Sequence, residues 1–180
     1  MTGLGFQEIL SFSLSNGELL YRKMNLEEGK AVELLNPTSL RFTCLRSWLI
    51  PSLMDFLSKN THVEYPQRVF EVGDCVVPDE TSETGVRNVR KLACLIMHSN
   101  SSFTEVKASL NAFSINMGFK HQLFEASHKS FIEGRVGTIL AQGKQVGVIG
   151  EINPLVLEMW NLENPVTGFE LNLSTLKDVT

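Results

Sequence analysis

The sequence predicts an α+β fold in which helices flank an antiparallel sheet. Helical and strand patterns follow one another without the regular alternation that a parallel sheet requires. Two apolar runs separated by a glycine-containing turn are typical of an antiparallel hairpin. The chain has 180 residues, 43% hydrophobic and 20% charged, which is enough for one compact core. We therefore expect residues 1–180 to form a single module.

The first part of the chain predicts short elements joined by turns. Aromatic and branched residues favour strands, whereas clusters of Asn, Pro, Ser and Gly favour turns. The predicted order is a helix end stopped by Gly5, a strand (residues 6–14), a short helix (18–24), a strand (30–35) and a turn (36–39).

Two longer helices are predicted in the middle of the chain. Both have apolar residues at spacings of three and four. Pro51 suits the first turn of one helix, and the other has Ser102 and Glu105 in capping-box positions and Gly118 as its stop. The predicted order is a helix (51–59), a strand (68–77), a solvated loop (78–88), a strand (91–98) and a helix (103–117).

The last part predicts the hairpin, a short helix and a final strand. Apolar runs at residues 136–140 and 146–149 flank a turn at residues 142–145. Asn153 and Pro154 suit the cap and first position of a helix that reaches Trp160. The alternating residues Phe169, Leu171 and Leu173 predict the last strand.

Composition excludes several classes of protein. The net charge of −4 argues against a surface that coats nucleic acid, because phosphate binding draws on clustered cations. Cys44, Cys75 and Cys94 form no C-x-x-C pair, so we expect buried thiols in a reducing compartment. No apolar run approaches the ~20 residues that cross a bilayer, and no signal peptide begins the chain. We therefore expect a cytoplasmic protein without a membrane partner.

Common catalytic motifs are not supported. Residues 137–144 differ from a phosphate-binding loop in glycine spacing, and Gln145 replaces the metal-binding hydroxyl residue. There is no G-x-S-x-G elbow. The histidines lack metal-ligand spacing, and we expect structural or surface roles for His62, His98, His121 and His128.

Three features leave alternatives open. Lys129 and Arg135 flank an apolar loop and favour either anion binding or exposed ion pairs. Arg46 favours an internal ion pair or an interface over ligand binding. The apolar stripe that begins at Leu49 is either part of the core or a surface for a partner. The same two alternatives, core or interface, apply to Trp48 and Trp160.

Five segments in order resemble the beta subunit of phenylalanyl-tRNA synthetase, of the archaeal and eukaryotic type. The resemblance covers residues 3 to about 173. The segments are GFQEI with Ser11-Phe12 (residues 5–12), LNP leading to LRSWLIPSL (35–53), VFEVGD (69–74), SFIEGR (130–135) and VIGEINP (148–154).

The resemblance implies a class II aminoacyl-tRNA synthetase fold without catalysis. Active class II enzymes hold the ATP phosphates with arginines in their second and third motifs. Here Cys75-Val76-Val77-Pro78 stand where the second-motif arginine is expected, and no arginine follows Arg135. In the third-motif region only Gly168 is left of the glycines that approach adenine, and Glu170 would repel a triphosphate.

The resemblance also implies partners. The chain would be the catalytic-like module of a longer beta subunit that assembles with a catalytic alpha subunit in an alpha-beta heterotetramer. ATP and Mg would bind the alpha subunit, phenylalanine tRNA would bind the whole complex, and the isolated module could be monomeric. An amino-acid pocket retained along residues 136–149 and a residually active ligase are the alternatives. We expect no catalytic, cofactor or metal residues, and the candidate interface or structural residues are Arg46, Leu49, Pro51, Leu53, Leu57, Phe131 and Arg135.

Overall fold

The computed structural model describes residues 1–37 and 39–178, and among these residues ten strands form two sheets. The large sheet is antiparallel except at one edge, where β1 pairs with β5 in parallel. Its seven strands, in spatial order, are β1 (Gln7–Glu8), β5 (Gln67–Pro78), β6 (Val86–Met97), β10 (Val166–Asn172), β9 (Lys144–Ile152), β8 (Phe131–Ala141) and β7 (Gln122–Glu125). The small sheet has the order β2 (Leu14–Ser15), β4 (Cys44–Leu45) and β3 (Val32–Glu33).

Helices pack on both faces of the large sheet. They are α1 (Gly17–Leu20), α2 (Ile50–Lys59), α3 (Phe103–Met117), α4 (Pro154–Met159) and α5 (Leu173–Lys177), with 3-10 turns at Thr2–Leu4 and Arg22–Met24. We call the face covered by α2 and α4 the front face, and the face covered by α3 and α5 the back face. Alternate residues of each strand supply two separate apolar clusters, one on each face.

The front cluster is the one that matters for the site. In it the apolar stripe of α2 packs on β5 and β6. Trp160, which follows α4, is 1% exposed and joins the same cluster. Met24, which ends the second 3-10 turn, is fully buried there as well. The front of the sheet is therefore covered by the chain itself.

The long elements were predicted well and the short ones were not. The two longer helices, the hairpin and the Asn153 cap are confirmed, and the side chain of Asn153 accepts a hydrogen bond from the amide of Leu155. The sequence analysis did not predict strands β4 and β7 or helix α5. In place of the single strand predicted over residues 6–14, the structure has two short strands of two residues each, β1 and β2. The turn predicted at residues 36–39 includes Thr38, which lies outside the described residues.

The predicted capping box of α3 is wrong. Ser102 makes no side-chain cap, and the amide of Phe103 donates instead to Glu151 Oε1 over 2.8 Å. Glu105 binds Arg68 and His98, at 2.6 and 2.7 Å. The carboxylate therefore binds these two side chains instead of a backbone amide, and its bond to the Arg68 guanidinium is charge-assisted, which is the stronger kind.

Candidate functional site: the front face of the large sheet

The front face carries a line of buried and partly buried charged side chains across three adjacent strands of the large sheet. Glu71 lies on β5, Lys91 on β6 and Glu170 on β10, each at a position that alternation turns toward α2. Arg46, just after β4, reaches the same layer. These four side chains are the candidate functional site, because charged residues are rarely buried unless they are paired.

Arg46 and Glu71 form a fully enclosed ion pair. Their side chains are 3% and 1% exposed, and Arg46 Nη1 lies 2.8 Å from Glu71 Oε1. The hydroxyl of Ser11 donates to Glu71 Oε2 over 2.6 Å, and Arg46 Nη1 lies 2.7 Å from that hydroxyl. Arg46 Nε donates to the carbonyl of Asp74 over 3.0 Å. Both charges are therefore neutralised within the chain.

Gly73 lies directly beneath this ion pair. A Cβ at this position would lie 2.2 Å from Arg46 Nη2 and 3.1 Å from Glu71 Oε1. A Cβ contact of 2.2 Å is essentially never seen, so a side chain here would force the buried guanidinium of Arg46 to shift, and a glycine avoids this at the point where the guanidinium crosses β5.

Glu170 connects β6 to the beginning of α2. Its Oε1 accepts from Lys91 Nζ over 2.8 Å, and its Oε2 accepts from the amides of Leu49 and Ile50 over 2.7 and 3.1 Å. Leu49, the N-cap residue of α2, supplies no side-chain cap of its own. The carboxylate thus satisfies amides that a helix leaves unpaired at its beginning. Burial acts to lower the pKa of Lys91, but the Glu170 carboxylate outweighs burial and the net pKa is raised.

Cys75 does not offer a nucleophile. Its side chain is fully buried on the front face of β5. Burial raises the pKa of the Cys75 thiol to about 12, so the thiol is neutral at physiological pH. Burial also raises the pKa of Cys44 and Cys94, and all three cysteines are free and buried, as the sequence predicts.

The glycines of β9 and β10 are covered by the chain's own atoms. A Cβ on Gly150 would lie 2.6 Å from the ring of Phe131. A Cβ on Gly168 would lie 2.3 Å from the carbonyl oxygen of Cys94 and 2.4 Å from Leu95 Cδ2. These glycines therefore make room for neighbouring parts of this protein, which is a sufficient reason for a residue without a side chain.

Most of the candidate residues from the sequence lie inside the molecule. Arg135 is the exception, with a side chain 61% exposed and Nη1 2.7 Å from Glu151 Oε2. Lys129 forms a separate exposed pair with Glu27, so the two cations do not converge on one anion site. The remaining candidates are buried: Arg46, Leu49, Pro51, Leu53, Leu57 and Phe131.

The sequence analysis missed Glu71, Lys91 and Ser11 as members of the site. Glu71 had a detectable signal, because a lone carboxylate on the inward positions of an apolar strand needs a buried partner. Lys91 had none, since it stands at the start of a predicted strand where a solvated lysine is ordinary. Glu170 was predicted to repel phosphate, but its contact with α2 was not foreseen.

His128 packs near the front cluster rather than in a metal site. Its ring lies 5.2 Å from that of Phe131 and 6.0 Å from that of Trp48, measured between centroids. Burial lowers the pKa of His128, with a smaller opposing effect of Glu170. Within the described residues no group of three His, Cys, Asp or Glu side chains is arranged to hold a metal ion. No described helix is long and apolar enough to cross a membrane.

The architecture defines the class of protein. A solved pyrrolysyl-tRNA synthetase from Desulfitobacterium hafniense superposes with a TM-score of 0.79, over 98% of this chain and 63% of that one. The two sequences are 17% identical, so this likeness concerns the fold alone. The chain has the fold of a class II aminoacyl-tRNA synthetase.

The family follows from sequence comparison. The model of the phenylalanyl tRNA synthetase beta chain CLM domain matches residues 1–173, and the chain belongs to this family. Phenylalanine–tRNA ligase beta subunits from Pyrococcus abyssi and Thermococcus gammatolerans are 49% and 48% identical to it over 98% of its length. The beta subunit from Methanocaldococcus jannaschii is 41% identical over 96%. The chain spans about a third of the length of these relatives.

Proposed function

We propose that the chain is a non-catalytic synthetase-fold module of a phenylalanine–tRNA ligase beta subunit, and that it supports assembly with a catalytic alpha subunit. ATP and Mg then bind the alpha subunit, and phenylalanine tRNA binds the full complex. The observation that carries the proposal is the closed front face, where α2 covers β5, β6 and β10 and where Arg46 and Lys91 each have a carboxylate partner at 2.8 Å.

Charge balance supports the absence of ATP chemistry. A triphosphate needs cations that are free to approach it. The two cations of the candidate site, Arg46 and Lys91, are held by Glu71 and Glu170. Taking one of them for a ligand would leave a buried carboxylate unpaired, at a cost of about 3–5 kcal/mol.

Cavity positions argue against a retained amino-acid pocket. Five cavities of about 350 to 480 Å³ open among the described residues, and none of these five is lined by β6, β9 or β10. One of them touches the range 136–149, but only at Leu140, Gln142 and Gly143, at the turn of the hairpin. The ring of Phe131 fills the space above Gly150. A small ligand would have to displace packed side chains of the front cluster, which is costly in a close-packed core.

An exposed apolar row supports the assembly role. Leu10, Phe12 and Leu14 are 86%, 76% and 38% exposed. They alternate with Ile9, whose amide donates to the carbonyl of Phe70, and with Ser11, which binds Glu71. The row is thus the outward side of an extended segment at the edge of the large sheet, a kind of surface that proteins usually cover.

Pull-down of the full-length subunits tests the assembly role. Beta subunit carrying Leu10→Ser and Phe12→Ser should bind the alpha subunit at least about tenfold more weakly, since two large apolar contacts are worth well over 1.4 kcal/mol. Ile115→Ser is the matched control, because Ile115 is 78% exposed on α3. Equal affinities for the two variants would contradict the role of the row in assembly.

Activation of phenylalanine with ATP tests which subunit carries the catalysis. Phenylalanine-dependent pyrophosphate exchange should be absent from the isolated chain and present when the alpha subunit is supplied. Calorimetry of the chain with millimolar phenylalanine should give no binding heat. Exchange by the chain alone would overturn the proposal, and binding heat without exchange would favour the amino-acid pocket.

A further inference from the structure

We propose that the cavity at the end of α3 binds an RNA strand, whose phosphates contact three lysines and one of whose bases stacks on the ring of His121. The lysines are Lys107, Lys120 and Lys144. The inference deepens the proposed function and rests on it in one respect, since the RNA is the tRNA that the full complex binds. The cavity is lined by none of the four charged residues of the candidate functional site.

The cavity lies where three parts of the chain meet at one end of the large sheet. It has a volume of about 480 Å³. Lys120 and His121 line it from the connection between α3 and β7, and Gln142 lines it from the turn between β8 and β9. Ligand sites in proteins commonly have volumes in this range, so the cavity is large enough for one nucleotide.

The lysines around the cavity lack the partners that most other cations of the chain have. Nine of the sixteen lysines and arginines form ion pairs, and two more lie over aromatic rings. In the part of the chain that the structure describes, five have neither kind of partner, and Lys107, Lys120 and Lys144 are three of these five. All three are exposed, and Lys144 directly follows Gly143 of the cavity lining. Their charges are therefore available to an outside anion.

The surroundings of the cavity contain no acidic residue in the sequence. Residues 106–124 and 134–150 form α3, the beginning of β7 and the hairpin, and they include no Asp or Glu. Burial lowers the pKa of His121, and Lys107 is close enough to lower it further. Charges are screened beyond about 8 Å at physiological ionic strength. A phosphate at the cavity consequently interacts with these lysines despite the net charge of −4.

The ring of His121 favours RNA over other polyanions. His121 is half-buried, and its ring packs against that of the buried Phe119, with 6.2 Å between the centroids. A fixed aromatic ring beside cations is the arrangement on which unpaired RNA bases stack. Gln122 and Gln142 also line the cavity, and their amides can donate to and accept from the edge of a base. An acidic peptide would use the lysines but would gain little from the ring.

Binding of tRNA to the complex of alpha and full-length beta subunits is the test. Fluorescence anisotropy of labelled phenylalanine tRNA is followed at several salt concentrations. The triple variant Lys107→Gln, Lys120→Gln and Lys144→Gln removes three phosphate contacts. Each contact to a single strand contributes about 0.7 to the slope of log affinity against log salt, so the slope should become shallower by about 2. At about 0.1 M salt these contacts are worth up to about 100-fold, and the affinity should fall at least about tenfold.

Two controls separate the site from general effects of charge. Arg22→Gln, Lys30→Gln and Lys129→Gln together remove the same charge from exposed positions outside the cavity, and they should leave the slope and the affinity unchanged within about twofold. His121→Ala should weaken binding at least about fivefold through the loss of stacking, whereas His121→Phe should retain it.

The outcomes that overturn the inference differ from those that overturn the proposed function. Equal slopes for the two triple variants, or equal affinities of His121→Ala and His121→Phe, would overturn the RNA site. Displacement of the tRNA by polyglutamate as effective as by single-stranded RNA, at equal concentration of charges, would also overturn it. If the unchanged beta subunit does not associate with the alpha subunit, the proposed function fails instead. The same variants are then compared in RNA binding by the full-length beta subunit alone, where equal affinities again overturn the RNA site.

Discussion

Replacing Arg46 by Met tests whether the front face is held by buried charge. Methionine keeps much of the apolar volume but removes the cation. Glu71, only 1% exposed, would then keep the hydroxyl of Ser11 as its remaining side-chain partner, and the carbonyl of Asp74 would lose a donor. An unpaired buried charge costs about 3–5 kcal/mol. Because Ser11 still donates to Glu71, the lower end of about 3 kcal/mol applies, and the lost carbonyl bond adds about 1 kcal/mol. We expect the free energy of unfolding to fall by about 4 kcal/mol.

Urea unfolding followed by circular dichroism measures this loss. With an m value of about 2 kcal/mol per M, the midpoint should fall by about 2 M. Arg22→Met is the surface control, since Arg22 and Glu18 are 80% and 54% exposed, and it should change stability by less than about 0.5 kcal/mol.

A double variant separates the ion pair from simple packing. Arg46→Met combined with Glu71→Leu removes both charges, so no charge is left uncompensated. Such replacements are often neutral or stabilising, and we expect most of the loss in the single variant to be recovered. A single-variant loss no larger than that of Arg22→Met, or a double variant worse than the sum of its parts, would refute the reasoning.

Three further outcomes are expected. Gly73→Ala should lower the free energy of unfolding, measured from urea midpoints, by about 1–3 kcal/mol, because the new Cβ would clash with Arg46. Gly17→Ala should not lower it, because a Cβ on Gly17 would have no neighbouring atom within 4 Å. Asn153→Ala should cost about 1 kcal/mol in the same assay through loss of the α4 cap. Burial lowers the pKa of His128 in the native state, so the unfolded state binds a proton first as the pH falls below about 6.5. The free energy of unfolding should therefore be highest above that pH and fall as the pH decreases through the native pKa, and urea midpoints across pH 5–8 should show a smaller fall in His128→Gln.

The periodic spacing of apolar residues in the sequence predicted the long helices and strands correctly, but it did not predict the short ones. The stripe of α2 and the apolar alternation of β5 each extend over many residues, so their periodicity outweighs single exceptions. Strands β2, β3 and β4 have two residues each, and no period can be detected over such a length. These strands exist because tertiary pairing supplies their hydrogen bonds, which local sequence does not record.

Long-range pairing limited what could be predicted of the site. Glu170 and Lys91 are 79 residues apart, and Glu71 and Arg46 are 25 apart. Their register follows from the order of strands in the sheet, and one residue of slip would turn each side chain to the other face. The sequence could therefore predict that certain arginines are missing, but not that the cations present are already neutralised.

The neutralised charges of the front face bear on the proposal that this module does not bind ATP. If the absence of phosphate-binding arginines were the whole reason, the front face could still be an open and hydrated cleft. Here α2 covers the strands, and Glu170 holds the beginning of that helix from β10. A phosphate could reach the strands beneath α2 only if that helix were displaced, and this would expose its fully buried residues Leu53, Met54 and Leu57. Each such side chain costs about 1.5–3 kcal/mol to expose, so the three together approach the stability of an ordinary domain. The closed face is consequently part of what holds the module folded, and under the proposed function a change of single residues on the sheet would not give this module ATP chemistry.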